Sequence, residues 1–505
     1  MRIVIPFLLA LTVGAAGWTA QTLPEDSLTS EGLEAHLRFI ASDELQGRRT
    51  GSTGNAVAAR YLAEHFRRWG LKPAGDLKGF LQPVPLFLQS PPAEGTITTR
   101  SIELHIGSDF VLLAGTAELE APVVSAGYGL VDEASDVDDY ADLDVEGKIV
   151  VVRFGAPERI SRSGQGGRKR LWSTQKRRLA SERGAAGIVE ILPGNQWRRV
   201  VRFLTRPRVV LQETIEGAQN DIFHALVRIP SGDPPEWETL KLDVPPLQAD
   251  PLAASNIIGM IQGRNPRLSD EYLVLTAHYD HMGTDPNLKG DGSGDTIFNG
   301  ARDNGMGVVA LLAAARSLAM QPPRRSVLLI AMTGEEQGLL GSSYYVENPV
   351  VPLRKNMFVL NTDAAGFSDT GVVTIFGLRR ISDRTLFEKA CSRFGLETIP
   401  DPAENRDLFY RSDNVAFARK GIPALTFSPG FRTLDEETMK HYHRPSDEAD
   451  DDFDYEYLLK FSQAFVASAR SLADADTIPV WSKGEEFEDA WQELYSEAGS
   501  EGPSY

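Results

Sequence analysis

Apolar residues fall into two rhythms along this chain. Unbroken apolar runs bounded by polar or turn-forming residues mark strands buried on both faces, whereas recurrence every three or four positions marks a helix packed on one face. Residues 326–332, 271–277, 357–360, 255–261, 372–376 and 422–427 have the first rhythm. Residues 32–40, 55–69, 308–318, 415–420 and 454–472 have the second, and Gly70 and Pro73 stop the helix over 55–69. Strands alternating with helices predict an α/β fold built on a parallel sheet. Between about residues 115 and 240 the pattern changes. Short β-branched runs at 123–129, 147–154 and 184–191, with glycine turns and a helical stretch at 173–183, predict a small β-rich insertion. Past Asp474 the chain turns acidic and irregular, which predicts a peripheral helix or a partly disordered tail.

Length and charge narrow the classes. A chain of 505 residues predicts two to four domains. A formal charge of -18, with basic clusters only at 168–170 and 176–178, argues against a nucleic-acid partner. Cys391 is the sole cysteine, so no intrachain disulfide can form and stability must come from the core. The chain starts Met1-Arg2, runs apolar from Ile3 to Val13 and reaches small residues at 14–17. This predicts a secretory signal over residues 1–20, cleaved near Ala16 or Ala20 and too short to span a membrane. The expected mature protein is exported to a periplasm or the medium and has no membrane span.

Polar groups that interrupt the strand pattern carry the chemistry. Glu335 and Glu336 follow the apolar run 326–332, His278-Tyr279-Asp280 follows 271–277, and Asp363 follows 357–360. Asp303 stands at the start of the helix over 308–318, and His441-Tyr442-His443 lies in a late segment ending at Asp447. Open α/β sheets expose their chemistry at strand ends, so a parallel sheet can bring these segments to one edge. A hydrolytic two-metal centre needs about five imidazole or carboxylate ligands and an acceptor for the proton of water. His278, Asp303, Glu336, Asp363 and His443 supply the ligands, and Glu335 remains as the acceptor. Taken singly, each has a simpler reading, since an Asp before a helix is most often a cap.

The motifs His278-Tyr-Asp280, Asn299-Gly-Ala-Arg-Asp303-Asn-Gly-Met-Gly307, Thr333-Gly-Glu-Glu336, Asn361-Thr-Asp363 and His443-Arg-Pro-Ser-Asp447 resemble those of the zinc aminopeptidase family M28, in that family's order. That family also contains glutamate carboxypeptidase II and the transferrin receptor. The resemblance implies a three-layer α/β/α zinc-peptidase domain with a mixed, mainly parallel sheet, and an inserted β-rich protease-associated domain acting as cleft wall, lid or spacer. It implies two Zn2+ ions bridged by Asp303, one completed by His278 and Asp363 and the other by Glu336 and His443. Glu335 becomes the general base, and Asp280 the carboxylate that holds the His278 ring. Gly305-Met306-Gly307 departs from the usual Ala/Gly-Ser-Gly, and Asn414 stands where the family has His after Ser-Asp. Asp413 is then either a pocket group or a helix cap. The segment 43–54 resembles the stretch opening the catalytic domain. The implied division is 1–20 signal, 21–114 and 241–475 peptidase, 115–240 insert and 476–505 acidic tail.

Peptide substrates and N-terminal trimming are the expected function. A carboxypeptidase or dipeptidase using the same centre needs a basic pocket, for which Arg379, Arg380, Arg406, Arg411 and Arg432 are candidates. A receptor or scaffold of the same fold does not need the full set of metal-ligating residues, and a glutaminyl-cyclase-like relative needs one zinc. The segment 290–295 has a calcium-like composition without an EF-hand's terminal Glu, and is read as a loop beside the site.

Overall fold

The computed structural model describes residues 23–157, 160, 169–219, 221–288 and 294–496. The expected signal segment, residues 290–293 of the glycine-aspartate loop and the last nine residues of the tail, 497–505, lie outside the described residues.

The apolar runs become strands of one nine-stranded sheet. They are β1 (Leu81–Ser90), β2 (Arg208–Leu211), β3 (Gln248–Ile261), β4 (Tyr272–His278), β5 (Ser326–Met332), β6 (Asn356–Thr362), β7 (Val372–Phe376), β8 (Glu397–Pro400) and β9 (Ala424–Pro429). Their order across the sheet is β2-β1-β3-β5-β4-β6-β9-β7-β8. At its centre β5, β4, β6 and β9 run parallel. The pairings of β1 with β3, β3 with β5 and β7 with β9 are antiparallel, so the sheet is mixed around a parallel middle. A parallel centre must be covered on both faces, which is why β5 is buried at every residue. Helices α1 (Ser30–Ile40), α2 (Thr53–Arg68), α3 (Met306–Met320) and α4 (Tyr455–Asp474) pack together over one face. The short helices Leu340–Glu347 and Asn414–Arg419 pack with each other on the other. Helix α3 is apolar on nearly every side because it is wedged between the sheet and its neighbouring helices.

Residues 96–244 form a second, eight-stranded sheet with its own core, including Ile97, Phe110, Val151, Val189, Phe223 and Leu240. It starts earlier than the β-rich stretch read from the sequence, because strands as short as Thr96–Thr98 and Glu103–His105 leave no period to detect. One segment leaves this unit. Strand β2 pairs with β1 at the edge of the main sheet and stitches the insert to that sheet.

The acidic tail docks as a peripheral helix, Glu488–Ser496. Trp481, Phe487 and Tyr495 are buried, and Trp481 Nε1 donates to the Gly421 carbonyl at 2.9 Å. Apolar burial of these aromatics offsets the ordering of an otherwise charged segment.

Candidate metal centre and its cavity

The parallel strands end on one edge, and their C-terminal ends deliver the polar groups. His278 closes β4, Asp363 follows β6, and Thr333-Gly334 turns the chain out of β5 so that Glu335 and Glu336 face the same space. Gly334 takes a left-handed φ of 70°, where a side chain would be strained.

Asp303 reaches this edge from the loop preceding α3 and is held there from several sides. Asp447 accepts hydrogen bonds from the Arg302 and Asp303 N–H groups at 3.0 Å each. Asn304 follows through a cis peptide bond; its side-chain amide donates to the Thr362 carbonyl at 2.9 Å. Below lies Arg48, fully buried, which donates to the carbonyls of Ile40, Tyr279, Asn299 and Gly300. One guanidinium therefore fixes both the loop after β4 and the loop before Asp303.

The distances define two donor groups that share Asp303. His278 Nε2 lies 3.1 Å from Asp363 Oδ1 and 3.4 Å from Asp303 Oδ1. His443 Nε2 lies 3.1 Å from the other Asp303 oxygen and 3.3 Å from Glu336 Oε2. Ligand atoms about 2.0–2.2 Å from a tetrahedral zinc sit about 3.3–3.5 Å apart, so nitrogen and oxygen donors at these spacings fit that ion. The five residues nominated as ligands from the sequence therefore meet in space.

A sixth, His281, was missed. Its Nδ1 lies 2.7 Å from Glu336 Oε1, and His281, Asp303 and Glu336 also form a compact donor group. A contact of 2.7 Å is a direct hydrogen bond, shorter than two ligands of one ion normally approach. We therefore place His281 behind Glu336, fixing its carboxylate, and His443 in front with the other oxygen. The signal was present, since His281 immediately follows His278-Tyr279-Asp280.

Asp280 is arranged differently from the expectation. His278 Nδ1 is 3.9 Å from the Asp280 carboxylate but 3.2 Å from the Asp280 main-chain carbonyl. The carboxylate is engaged elsewhere, accepting from the Thr50 hydroxyl at 2.8 Å and the Glu335 N–H at 3.2 Å. It thus ties the Glu335 backbone to the ring's neighbourhood. Asp413 lies at the helix start without a capping bond, fully buried, and burial pushes its carboxyl up to about 7.

Electrostatics follow from crowding. Burial pulls the His278 imidazole down, but Asp363 and Glu335 beside it carry it well above the usual histidine range. His443 is likewise opposed by burial and raised to about 10 by Asp303 and Glu336. Burial pushes the Glu335 carboxyl well up, with further repulsion from Asp363, Asp413 and Glu336. Without a metal, protons on the two imidazoles balance part of the carboxylate charge.

These groups open on a cavity of about 320 Å³. Phe376, Leu408, Phe431, Leu434 and Met439 form an apolar wall, and Arg411 and Tyr442 also line it. The Tyr442 ring stacks on His443 with centroids 3.9 Å apart. Among the described residues, none from 96–244 lines this cavity.

Residues 256–469 match the profile of Peptidase family M28. Aminopeptidase YwaD from Bacillus subtilis (strain 168) is 30% identical over 195 residues, covering 38% of this chain and 39% of that protein. The vacuolar membrane protease of Saccharomyces cerevisiae (strain ATCC 204508 / S288c) is 33% identical over 120 residues, covering 24% of this chain and 11% of that protein. The chain thus spans well under half the length of either curated relative. The solved aminopeptidase from Aneurinibacillus sp. strain AM-1 shares the fold, with a TM-score of 0.53 at 20% identity, over 89% of this chain and 95% of that one.

Proposed function

We propose that this chain is an exported dizinc aminopeptidase that removes N-terminal residues from peptides. The observation that carries this reading is Asp303, whose two oxygens serve two donor groups at zinc-compatible spacing beside a free carboxylate in one cavity. His278 and Asp363 would hold one ion and Glu336 and His443 the other, with Asp303 between them. Bound there, two zinc ions supply Lewis acidity toward both an attacking water and a scissile carbonyl.

The remaining work falls to the chain. The Glu335 carboxylate accepts the proton of water and returns it to the leaving amine, a role suited to a carboxylate whose affinity for a proton burial has raised well above the usual range. Carboxylates of Asp303, Glu335, Glu336 and Asp363 attract a peptide's free ammonium, and the apolar wall takes the side chain of its first residue. Export rests on the apolar leader at residues 3–13, and no helix among the described residues is long and apolar enough to cross a membrane. The separate eight-stranded sheet supports reading the insert as a protease-associated domain.

The test is a panel of free-amine, N-blocked and C-blocked peptides, incubated with metal-analysed protein and read by mass spectrometry. Loss of one N-terminal residue from free-amine peptides alone is expected; cleavage that survives N-blocking refutes the aminopeptidase reading. Glu335→Gln should retain both ions and lower kcat by about 10²–10⁴-fold. Near-normal turnover would remove Glu335 from its role.

A further inference from the structure

Five arginines were candidates for reading a substrate carboxylate, and the structure separates them. Arg379 pairs with Glu404 at 2.6 Å, Arg380 is held by Glu485 and Glu486, and Arg432 pairs with Asp369 at 2.7 Å and Glu397 at 2.6 Å. Neither these three nor Arg406 lines the cavity of the metal centre. Arg411 does, and its side chain is exposed. Among the described residues it makes no ion pair, and its hydrogen bond is to a neutral group, from Nη2 to the Tyr442 hydroxyl at 3.3 Å.

The placement runs against the character of the pocket. A cavity that gathers carboxylates for metal ions and a substrate ammonium gains nothing from a permanent cation unless another part of the substrate is negative. Guanidinium donors match a carboxylate in a two-pronged geometry, and a single phenol leaves most of them free. Arg411 also stands at a definite remove from the chemistry. Tyr442 stacks on His443, and Arg411 reaches the far end of that same tyrosine, so the guanidinium lies one aromatic ring from the donor group. An extended peptide advances about 3.3–3.6 Å per residue, so a guanidinium set one ring away from the ligands is placed to meet a group carried beyond the scissile bond and not the reacting carbonyl itself.

We propose that Arg411 binds a carboxylate on the leaving residue, so that the favoured substrates are dipeptides with a free C-terminus or peptides with an acidic second residue. This rests on the aminopeptidase reading and specifies its substrate class. The carboxylate is the shared chemistry, and two substrate pairs distinguish its source.

The experiment compares kcat/KM of the metal-loaded wild-type protein for leucyl-alanine against its C-terminal amide, and for leucyl-glutamic acid amide against leucyl-glutamine amide. The acid member of at least one pair should be favoured by about tenfold to a hundredfold, mainly through KM. Preference confined to the first pair identifies the terminal carboxylate, and confined to the second an acidic side chain. In Arg411→Gln the ratio within the favoured pair should collapse toward unity, and in Arg411→Lys part of it should remain. A purely structural role for Arg411 would slow both members of a pair equally and leave the ratio intact, which would overturn the proposal. Cleavage of all four substrates without preference would overturn it too, while leaving the aminopeptidase reading in place. Absence of cleavage from any of them would refute that reading and this inference together.

Discussion

Lys176, Glu190 and His224 in the insert are buried, as are His278 and Asp303 at the edge of the main sheet, yet the two clusters are built on opposite principles. In the insert, Lys176 Nζ lies 3.2 Å from Glu190 Oε1 and donates to the Arg153 carbonyl at 2.7 Å, while the Ser173 hydroxyl donates to the other Glu190 oxygen at 3.0 Å. Burial holds His224 well below its usual range and therefore neutral, so one cation faces one anion in a sealed space. In the metal centre, Asp303, Glu335, Glu336 and Asp363 outnumber the imidazoles of His278, His281 and His443, and the group opens on a cavity. The first cluster pairs its charges as it stands, although neither His224 ring nitrogen has a hydrogen-bond partner among the described residues. The second carries surplus negative charge that only cations or protons can balance. Burial of polar groups therefore does not itself mark a site; surplus charge arranged around a shared ligand does.

The largest effect expected from breaking this contrast is at Asp303. Asp303→Ala should lose both metal ions and all measurable hydrolysis, because one carboxylate serves two donor groups; metal analysis beside a kinetic assay reads both. Retention of even one ion at full stoichiometry would show that the groups are independent. Next comes Lys176→Met, which leaves Glu190 uncompensated and should cost the insert about 3–5 kcal/mol in denaturant unfolding. Replacing Glu190 by Leu as well should recover most of that loss, since a balanced pair adds little net stability over an apolar one. Failure of the second substitution to recover it would show that packing, not charge, holds the cluster.

A smaller effect lies in the pH dependence of metal binding. His443 is raised to about 10 in the metal-free fold, against about 6.5 unfolded. The stability its proton contributes is complete below about pH 6.5 and is lost as pH rises toward about 10. Metal must displace that proton, so affinity should climb with pH across the same window, by up to about tenfold per pH unit for each proton released. Calorimetric titrations near pH 7 and pH 9 check this, and a flat affinity would mean that the imidazoles are already neutral.

Much of this was legible in the sequence because it rests on local pattern. A run such as 326–332 is apolar almost throughout and so reads as a central strand, and two carboxylates one turn after it have no structural reason to be there. What escaped depends on contacts between distant residues. Arg48 reads as a solvated arginine in a glycine-rich stretch, yet it is fully buried against carbonyls from three segments. His281 reads as a spare histidine until Glu336 is placed against it. No local rhythm tells strand β2 to leave the insert and pair with β1, and none reveals that Arg411 alone among five arginines faces the cavity, with no acidic partner among the described residues.

The nesting of the insert also sets an order of assembly on the ribosome. Strand Thr96–Thr98 pairs with Thr239–Val244, and just beyond them Ser90 faces Gln248 where β1 meets β3. Closing the insert thus brings the two halves of the main sheet into register and removes much of the entropy otherwise lost in joining them. Until then α1 and α2 have emerged with Leu33, Leu37, Leu62 and Phe66 and no sheet to cover them. The insert, with a core of its own, can finish first. The species most exposed to aggregation is therefore the half-made chain, and the insert shortens its lifetime by acting as a template for the domain that interrupts itself to make room for it.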